Sequence, residues 1–430
     1  MSIFKQSLIS IIFKLITIPI TIIIGIVTAN ILGPGGRGIY TIIITISTLI
    51  STIGMLGMGN SSIFLINSKE YNFKKTYTSL FWFSLLWGLI IITVTAMIFV
   101  FFPSIIRSIE ASSVNYIYLI SFLMICNGFI SPMLITKQKV KAIGIIGVLT
   151  LSFQLLFIVV ANLIYPKFIF YLVLLSYVIS ILIGILAVIM YEKAYYIFIP
   201  SIDFKLIKAV FTYGLKIFVG NLMLILNMQF DMLLINYFRT PEEVGLYSIS
   251  VMLCNFLLII PNAIGPILYS NWSKDKTIKA ENVIQTCRVI FFLLFLISCC
   301  IGVLGYPFIT IAYGLDFAGS YIPLLILLPG VINMGLCYSF FNYYSSVGKP
   351  EITSLILLLC FLINTLLNIF FIPFMGIIGA SISSFVSYTL GVVFAMIYFS
   401  KTMSIPFIKV LAEIVNMKKI IADIRKILGG

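Results

Sequence analysis

Residues 7–31 are nearly all Ile, Leu, Val and Thr, with one charge, Lys14. A run of about 20 apolar residues is long enough to cross the hydrocarbon core of a bilayer. Such runs recur along all 430 residues. Only 9% of the chain is charged, against about 25% in an ordinary soluble domain. A mean hydropathy of +1.19 agrees. The chain cannot clothe a water-soluble surface of its size, so it is read as a membrane protein.

Hydropathy predicts twelve spans, near 7–31, 39–66, 77–102, 115–136, 143–164, 168–190, 209–237, 244–268, 289–309, 319–343, 352–372 and 376–400. The expected fold is an all-α polytopic membrane protein of about twelve transmembrane helices. The loops are too short for a soluble catalytic domain. The first thirty residues lack a short apolar region followed by an A-x-A cleavage site, so they read as a retained first span.

Lysine and arginine set the expected orientation. With the N-terminus inside, the inside segments hold twenty-one of the 27 basic residues. The outside loops hold four: Arg37, Arg107, Lys167 and Arg239. Lys14 and Lys216 fall within spans. Both termini are therefore expected on the cytoplasmic side. The formal charge of +14 reads as a topology signal and not as a nucleic-acid surface. The tail, 401–430, places apolar residues on one side and lysines on the other, as a helix on an anionic inner leaflet would.

Chemistry-bearing residues are few. There is no histidine, and the seven cysteines lie in or beside apolar runs without C-x-x-C spacing. They read as packing residues, with no metal or disulfide framework. Residues 33–38, "GPGGRG", match the glycine pattern of dinucleotide-binding folds. That pattern carries its chemistry only inside a βαβ unit. Here apolar runs flank it on both sides, so it reads as a tight turn between two membrane helices.

The motif has an echo. Pro34, Gly38 and Tyr40 align with Pro241, Gly245 and Tyr247 at an offset of 207, and Pro166 aligns with Pro373 at the same offset. Two pseudo-symmetric six-helix lobes follow: 1–190 for spans one to six and 209–400 for spans seven to twelve. The cytoplasmic segment 191–208 joins them. Six spans per half give both halves one orientation, with the symmetry axis along the membrane normal. Pro and Gly would terminate one helix and start the next, with the tyrosines at the interface belt.

A charge at the centre of a membrane helix costs about 2.5–3.5 kcal/mol on insertion scales. Lys14, Lys216 and Asp231 incur something of this cost. Ser7, Ser10, Lys14, Thr17, Thr21, Gly25 and Thr28 step by three or four along span one and form one stripe. Tyr213, Lys216, Gly220, Asn227 and Asp231 form another on span seven, and Ser248, Asn255, Asn262 and Pro266 share a face of span eight. Small and hydroxyl residues also line ordinary helix contacts, and a lysine can snorkel to the interface. Pro261, Pro266, Pro323 and Pro329–Gly330 would break or bend helices where a transporter moves. The arrangement suits a water-filled cavity between two halves, cationic near its inner mouth and attractive to a phosphate.

"ILGPGGRGIY", "FDMLLINYFRTPEEVGLYSISVML", "YGLDFAGSYIPLLIL" and "FIPFMGIIGASISSFVSY" occur in this order. The ordered set resembles the polysaccharide-export branch of the MOP exporter superfamily, the Wzx-type flippases for O-antigen and related repeat units. The resemblance covers essentially the whole chain. It implies a MATE-like fold in the bacterial inner membrane, and a substrate of undecaprenyl-diphosphate-linked oligosaccharide turned from inner to outer leaflet by alternating access. In that fold spans one and seven line the cavity, and cationic cavity residues are typical. Carried over from the resemblance, that role falls to Lys14 and Lys216, which do not align with each other at the offset of 207; the stripes themselves nominate Ser10, Thr17, Thr21, Tyr213, Asn227, Asn255 and Asn262 as polar lining. The resemblance implies no cofactor. Coupling to a proton or sodium gradient has been proposed for the superfamily, and Asp231 is the membrane acid available for it. A polysaccharide polymerase and a chain-length regulator would be protein partners. A flippase for the peptidoglycan precursor usually has fourteen spans, and the twelve read here argue against it. Two other readings stay open. A cation-coupled multidrug exporter of the MATE type fits Asp231 but not the lysines. A membrane polymerase would need catalytic groups that the short outside loops do not offer.

Overall fold

The computed structural model describes residues 3–68, 71–273, 279–416 and 418–419, side chains of residues 3–8 excepted. Among them every regular element is helical. In chain order these are α1 (Ile3–Met55), α2 (Met58–Asn67), α3 (Phe73–Phe101), α4 (Ala111–Ile130), α5 (Pro132–Thr136), α6 (Val140–Ile164), α7 (Ile169–Tyr191) and α8 (Phe204–Phe238). Then follow α9 (Pro241–Asn255), α10 (Ile259–Trp272), α11 (Ala280–Ala312), α12 (Tyr321–Ser346), α13 (Pro350–Met375), α14 (Ile377–Met403) and α15 (Phe407–Ile414).

Ten of the described helices are long and apolar enough to cross a membrane, or up to eleven with α9 and α10, which qualify together although bent by 42°. The first of the ten runs 47 residues, Ile9–Met55. At 1.5 Å per residue that is about 70 Å, more than twice the hydrocarbon thickness. It is interrupted at Gly33, whose φ of 65° and ψ of 177° are not helical. Divided there, it accounts for the first span read from the sequence and for residues 39–55 of the second; the rest of that second span is α2, set off by a turn in which Leu56 and Gly57 have positive φ. Glycine is needed at the Gly33 break because a side chain disfavours positive φ. Pro34 then starts the next helical stretch, where its missing N–H is no loss.

Side-chain caps start two other helices. Asn72 accepts from the backbone N–H of Lys74 at 2.9 Å at the head of α3. Asp203 accepts from Lys205 and Leu206 at 3.0 and 3.1 Å at the head of α8. Lys75 reaches the other Asp203 oxygen at 2.7 Å. That ammonium, and then the backbone N–H donors, hold the Asp203 carboxyl below the usual carboxylate range.

By packing, the chain separates into Met1–Gly245 and Leu246–Gly430. The sequence places the division at 191–208 instead, by counting spans. The physical reason for the difference is that α8 packs on α1 and α2. A β-carbon added at Gly57 would fall 2.4 Å from the Gly214 carbonyl oxygen, and one at Gly214 would fall 2.7 Å from that of Leu56. Ser61 donates to the Val210 carbonyl at 2.8 Å beside them.

The repeated Pro-x-x-x-Gly motif meets its own copy within the first unit. A β-carbon at Gly38 would lie 1.6 Å from the carbonyl oxygen of Pro241, and one at Gly245 would lie 2.0 Å from that of Pro34. Each Gly also sits 3.1 Å, by the same measure, from the backbone nitrogen of the other. The contact is reciprocal, as a two-fold operation relating the motifs would make it. The tyrosines of the motif are not at an interface belt. Tyr40 is 8% exposed and Tyr247 1%, because each follows its glycine into the packed interior.

In the second unit α14 presents Ser381, Ser383, Ser384 and Ser387, all buried, between α12 and α13. Small residues let the helices approach closely. The tail helix α15 is amphipathic, and its Val410 and Ile414 are buried against protein. It packs on α11 and α14. Arg288 of α11, 1% exposed, donates Nε to the Glu413 carbonyl at 2.8 Å and Nη2 to the Glu281 and Glu413 carboxylates, each at 3.2 Å. A cation at the last turn of a helix also satisfies its dipole. Lys419 first, and Arg288 less strongly, hold the Glu413 carboxyl below its usual range. The amphipathic pattern read from the tail therefore serves a protein contact as far as α15. Ile408 and Leu411 remain exposed on the other side, and residues 420–430 lie outside the described residues.

Gly38→Ala and Gly245→Ala should each lower stability by about 1–3 kcal/mol by forcing backbone apart. Gly35, with nothing within 4 Å of a built β-carbon, supplies the control. Thermal unfolding in detergent should show early melting for the first two variants and none for Gly35→Ala.

Candidate functional site

On α1, Lys14 is exposed and Ser10 and Thr17 are half-buried. Thr17 donates to the Lys14 carbonyl at 3.0 Å and Thr21 to the Thr17 carbonyl at 2.9 Å. These hydroxyls satisfy themselves within the helix and keep lone pairs for a ligand. The polar stripe is not the one open face of this stretch, since Ile12, Leu15 and Ile16 are also more than 40% exposed. The side chain of Ser7 lies outside the described residues. Farther along the stripe Thr28 is fully buried.

On α8, Lys216 is exposed and Tyr213 stacks on Phe64 with centroids 4.3 Å apart. Asn227 and Asp231 are buried, at 1% and 4% exposure. Asn227 donates to the Met223 carbonyl at 2.7 Å. The helix therefore changes character along its length, from an open lysine-bearing stretch to a closed acid-bearing one. Lys216 and Asp231 are fifteen residues apart, about 22 Å on a helix, so they do not pair.

Asn255 is half-buried at the end of α9 and Asn262 is exposed on α10. The break between these helices falls at residues 256–258, just before the buried Pro261. Pro266 lies inside α10. The chain stays helical through Pro329 and Gly330, which do not interrupt α12. Gly330 serves packing there, since a β-carbon on it would come within 2.9 Å of Phe385 Cα.

Two polar groupings were not read from the sequence. In the first unit Arg37 is a helical residue, 8% exposed, and not part of an outside loop. Its Nη1 donates to Thr28 Oγ1 at 2.6 Å and its guanidinium lies over the Tyr40 ring at 5.5 Å. Tyr40 in turn lies beside Gln154 of α6. Because the joint between the first two spans is a single glycine, the residues after it are already inside the bundle. In the second unit Asn364 and Asn368 of α13 are both fully buried. Asn368 donates to Asn364 at 2.9 Å, and Asn364 donates to Ser384 of α14 at 3.2 Å. The i, i+4 asparagines within an apolar run were the available signal.

This geometry is that of a polytopic helical membrane protein with few charged side chains along its apolar helices. Solved structures with the same fold bear this out. One is described as the lipid II flippase MurJ in an inward closed conformation, with a TM-score of 0.74 at 14% identity, covering 96% of this chain and 90% of that one. Another is described as an inward-facing multidrug resistance MATE family transporter of the MOP superfamily, with a TM-score of 0.69 at 12% identity, covering 94% and 95%. At these identities the likeness shows the MATE-like fold. Residues 3–270 match the family described as Polysaccharide biosynthesis protein, and the chain belongs to that family. An uncharacterized membrane protein of Methanocaldococcus jannaschii is 24% identical over 211 residues, 47% of this chain and 41% of that relative. The match thus spans less than half the length of that relative.

Removing a partner from a buried hydrogen bond costs about 1–3 kcal/mol. Asn364→Ala should destabilise the protein by that amount, because Asn368 and Ser384 each lose a partner. Thermal unfolding of purified protein checks this, with Asn364→Ser expected to recover part of the loss.

Proposed function

We propose that the chain is a flippase that turns an undecaprenyl-diphosphate-linked oligosaccharide repeat unit, of O-antigen or a similar surface polysaccharide, from the inner to the outer leaflet of a bacterial inner membrane. The observation that carries this reading is the placement of two accessible lysines, Lys14 and Lys216, on otherwise apolar stretches of α1 and α8 in a polysaccharide biosynthesis family member. Packing does not need those cations, and a diphosphate does. Fold similarity to a protein described as a lipid II flippase supports a lipid-linked substrate.

In this reading the ammonium groups hold the diphosphate head group, and hydroxyls and amides meet the sugars. The two six-helix lobes alternate access to the two sides, with both termini cytoplasmic. An interior-negative potential favours outward movement of an anion by about 2.3 kcal/mol per charge per 100 mV. A doubly charged head group is therefore helped outward without a coupled ion. Asp231, buried on α8, is the proposed coupling acid if an ion gradient adds to this. A polymerase and a chain-length regulator would take the product onward. A MATE-type multidrug exporter is the second reading, favoured by the shared fold and disfavoured by the lysines, since cationic drugs would be repelled.

Deleting the gene in its native strain separates these readings. Lost surface polymer, with the lipid-linked unit stranded on the inner leaflet, is the expected result. Intact polymer with new drug sensitivity would mean an exporter. In the complemented strain the Lys14→Ala, Lys216→Ala double variant should abolish export at normal protein level, and the corresponding Arg variants should keep part of it. With the membrane potential clamped at zero, Asp231→Asn should make transport insensitive to an uncoupler; unchanged sensitivity would assign Asp231 a structural role.

A further inference from the structure

A cavity of about 310 Å³ opens within the first unit between the ends of α4 and α5 and the facing sides of α6 and α7. Its polar lining comprises Asn127, Ser131, Thr150, Gln154, Tyr177 and Ser180, and none of its lining residues is charged. It follows α6 from Ile143 to Gln154, about 16 Å at the helical rise. Ile135 and Ile143, both partly open to the outside, stand at the end that carries Lys137, Lys139 and Lys141.

Two features show that this space is kept open rather than left over. The first is Gly147, which lines the cavity in mid-helix. Glycine in a helix interior is unfavourable by about 1 kcal/mol relative to alanine. Elsewhere in this chain glycines allow backbones to touch, as at Gly38 and Gly214. Gly147 does not, because a β-carbon there would meet nothing within 4 Å. Across the cavity on α7, a β-carbon on Gly184 would make only an ordinary contact, 3.5 Å from Thr150 Cγ2. The absent side chains make room.

The second feature is the state of the polar atoms. Ser131 donates to Asn127 Oδ1 at 2.7 Å, Thr150 to the Gly147 carbonyl at 3.0 Å and Ser180 to the Tyr177 carbonyl at 2.8 Å. Gln154 lies beside Tyr40. Among the described residues nothing occupies the Asn127 Nδ2 donors or the Tyr177 hydroxyl, although both residues line the cavity. The rest of the lining is mostly aliphatic, with Leu134, Ile146, Leu151 and Ile181; an uncharged pocket that sets amide donors and a phenol among apolar walls is suited to the apolar face and the neutral hydroxyl groups of one ring. Its volume is near the lower end of the about 300–1,000 Å³ range for small-molecule pockets. That is room for a single sugar ring and not for a whole oligosaccharide.

We infer that this crevice binds one uncharged sugar ring of the lipid-linked substrate, entering from the lysine-bearing end. The inference rests on the flippase reading and extends it. The lysines of α1 and α8 hold the head-group charge, and the crevice in α4, α6 and α7 reads the sugar. Asn127 donates to ring hydroxyls, Tyr177 offers both its hydroxyl and its face, and Gly147 preserves the space.

The test uses the full chain in nanodiscs and two probes: undecaprenyl diphosphate, and undecaprenyl diphosphate carrying one N-acetylhexosamine. The sugar-bearing lipid should bind the unaltered protein at least tenfold more tightly. Gly147→Phe should fill the crevice and remove that preference, with binding of the bare lipid and the melting temperature unchanged. Should Gly147→Phe melt early, Asn127→Leu and Tyr177→Leu replace it, each expected to reduce the preference several-fold. The Lys14→Ala, Lys216→Ala variant should weaken both probes alike. A bare lipid that binds while the sugar adds nothing, or a preference that survives in the crevice variants, overturns the sugar site and leaves the flippase reading standing. If neither lipid binds the unaltered protein, both readings fall.

Discussion

Backbone meeting backbone at glycine is the interaction on which the first unit depends. Between helices in hydrocarbon there is little hydrophobic gain, so association rests on close packing and polar contacts. α8 gains its place against α1 and α2 where Gly57 and Gly214 face each other and where Ser61 bonds the Val210 carbonyl. The reciprocal contact of Gly38 with Pro241 and of Gly245 with Pro34 does the same at the joint of the repeats. Neither arrangement survives a side chain at its centre without backbone movement. Where the packing units divide is a consequence of these contacts and not of the number of spans.

Much of the architecture was legible because the bilayer imposes a length on every apolar run. The Gly33 break and the repeated Pro-x-x-x-Gly motif could be read from residue type and offset alone. What could not be read was depth. Arg37 has the look of a loop residue in "GPGGRG", yet a one-residue joint leaves it inside the bundle against Thr28 and Tyr40. Tyr40 and Tyr247 have the composition of an interface belt, yet they are buried. Pro329–Gly330 has the composition of a break or a bend, yet α12 is not broken there, and Gly330 packs closely on Phe385.

The candidate site was legible in part. Lys14, Lys216 and Asp231 stand out in any apolar helix, and the structure gives the lysines access and the acid burial. The Asn127, Gln154 and Tyr177 set was invisible because its members lie on three separate helices. Gly147 looked like any other glycine. Its meaning depends on having nothing beside it, which is a property of neighbours and not of spacing.

The bond from Arg288 to the last turn of α15 fixes more than the end of a helix. It makes the start of the tail a rigid appendage of α11 and α14, carried with them as one piece. A spectroscopic label attached to α15 would therefore register displacements of the second unit itself. It would not report the random drift of a loose terminus. The chain comes with a built-in handle for following movements of its second unit.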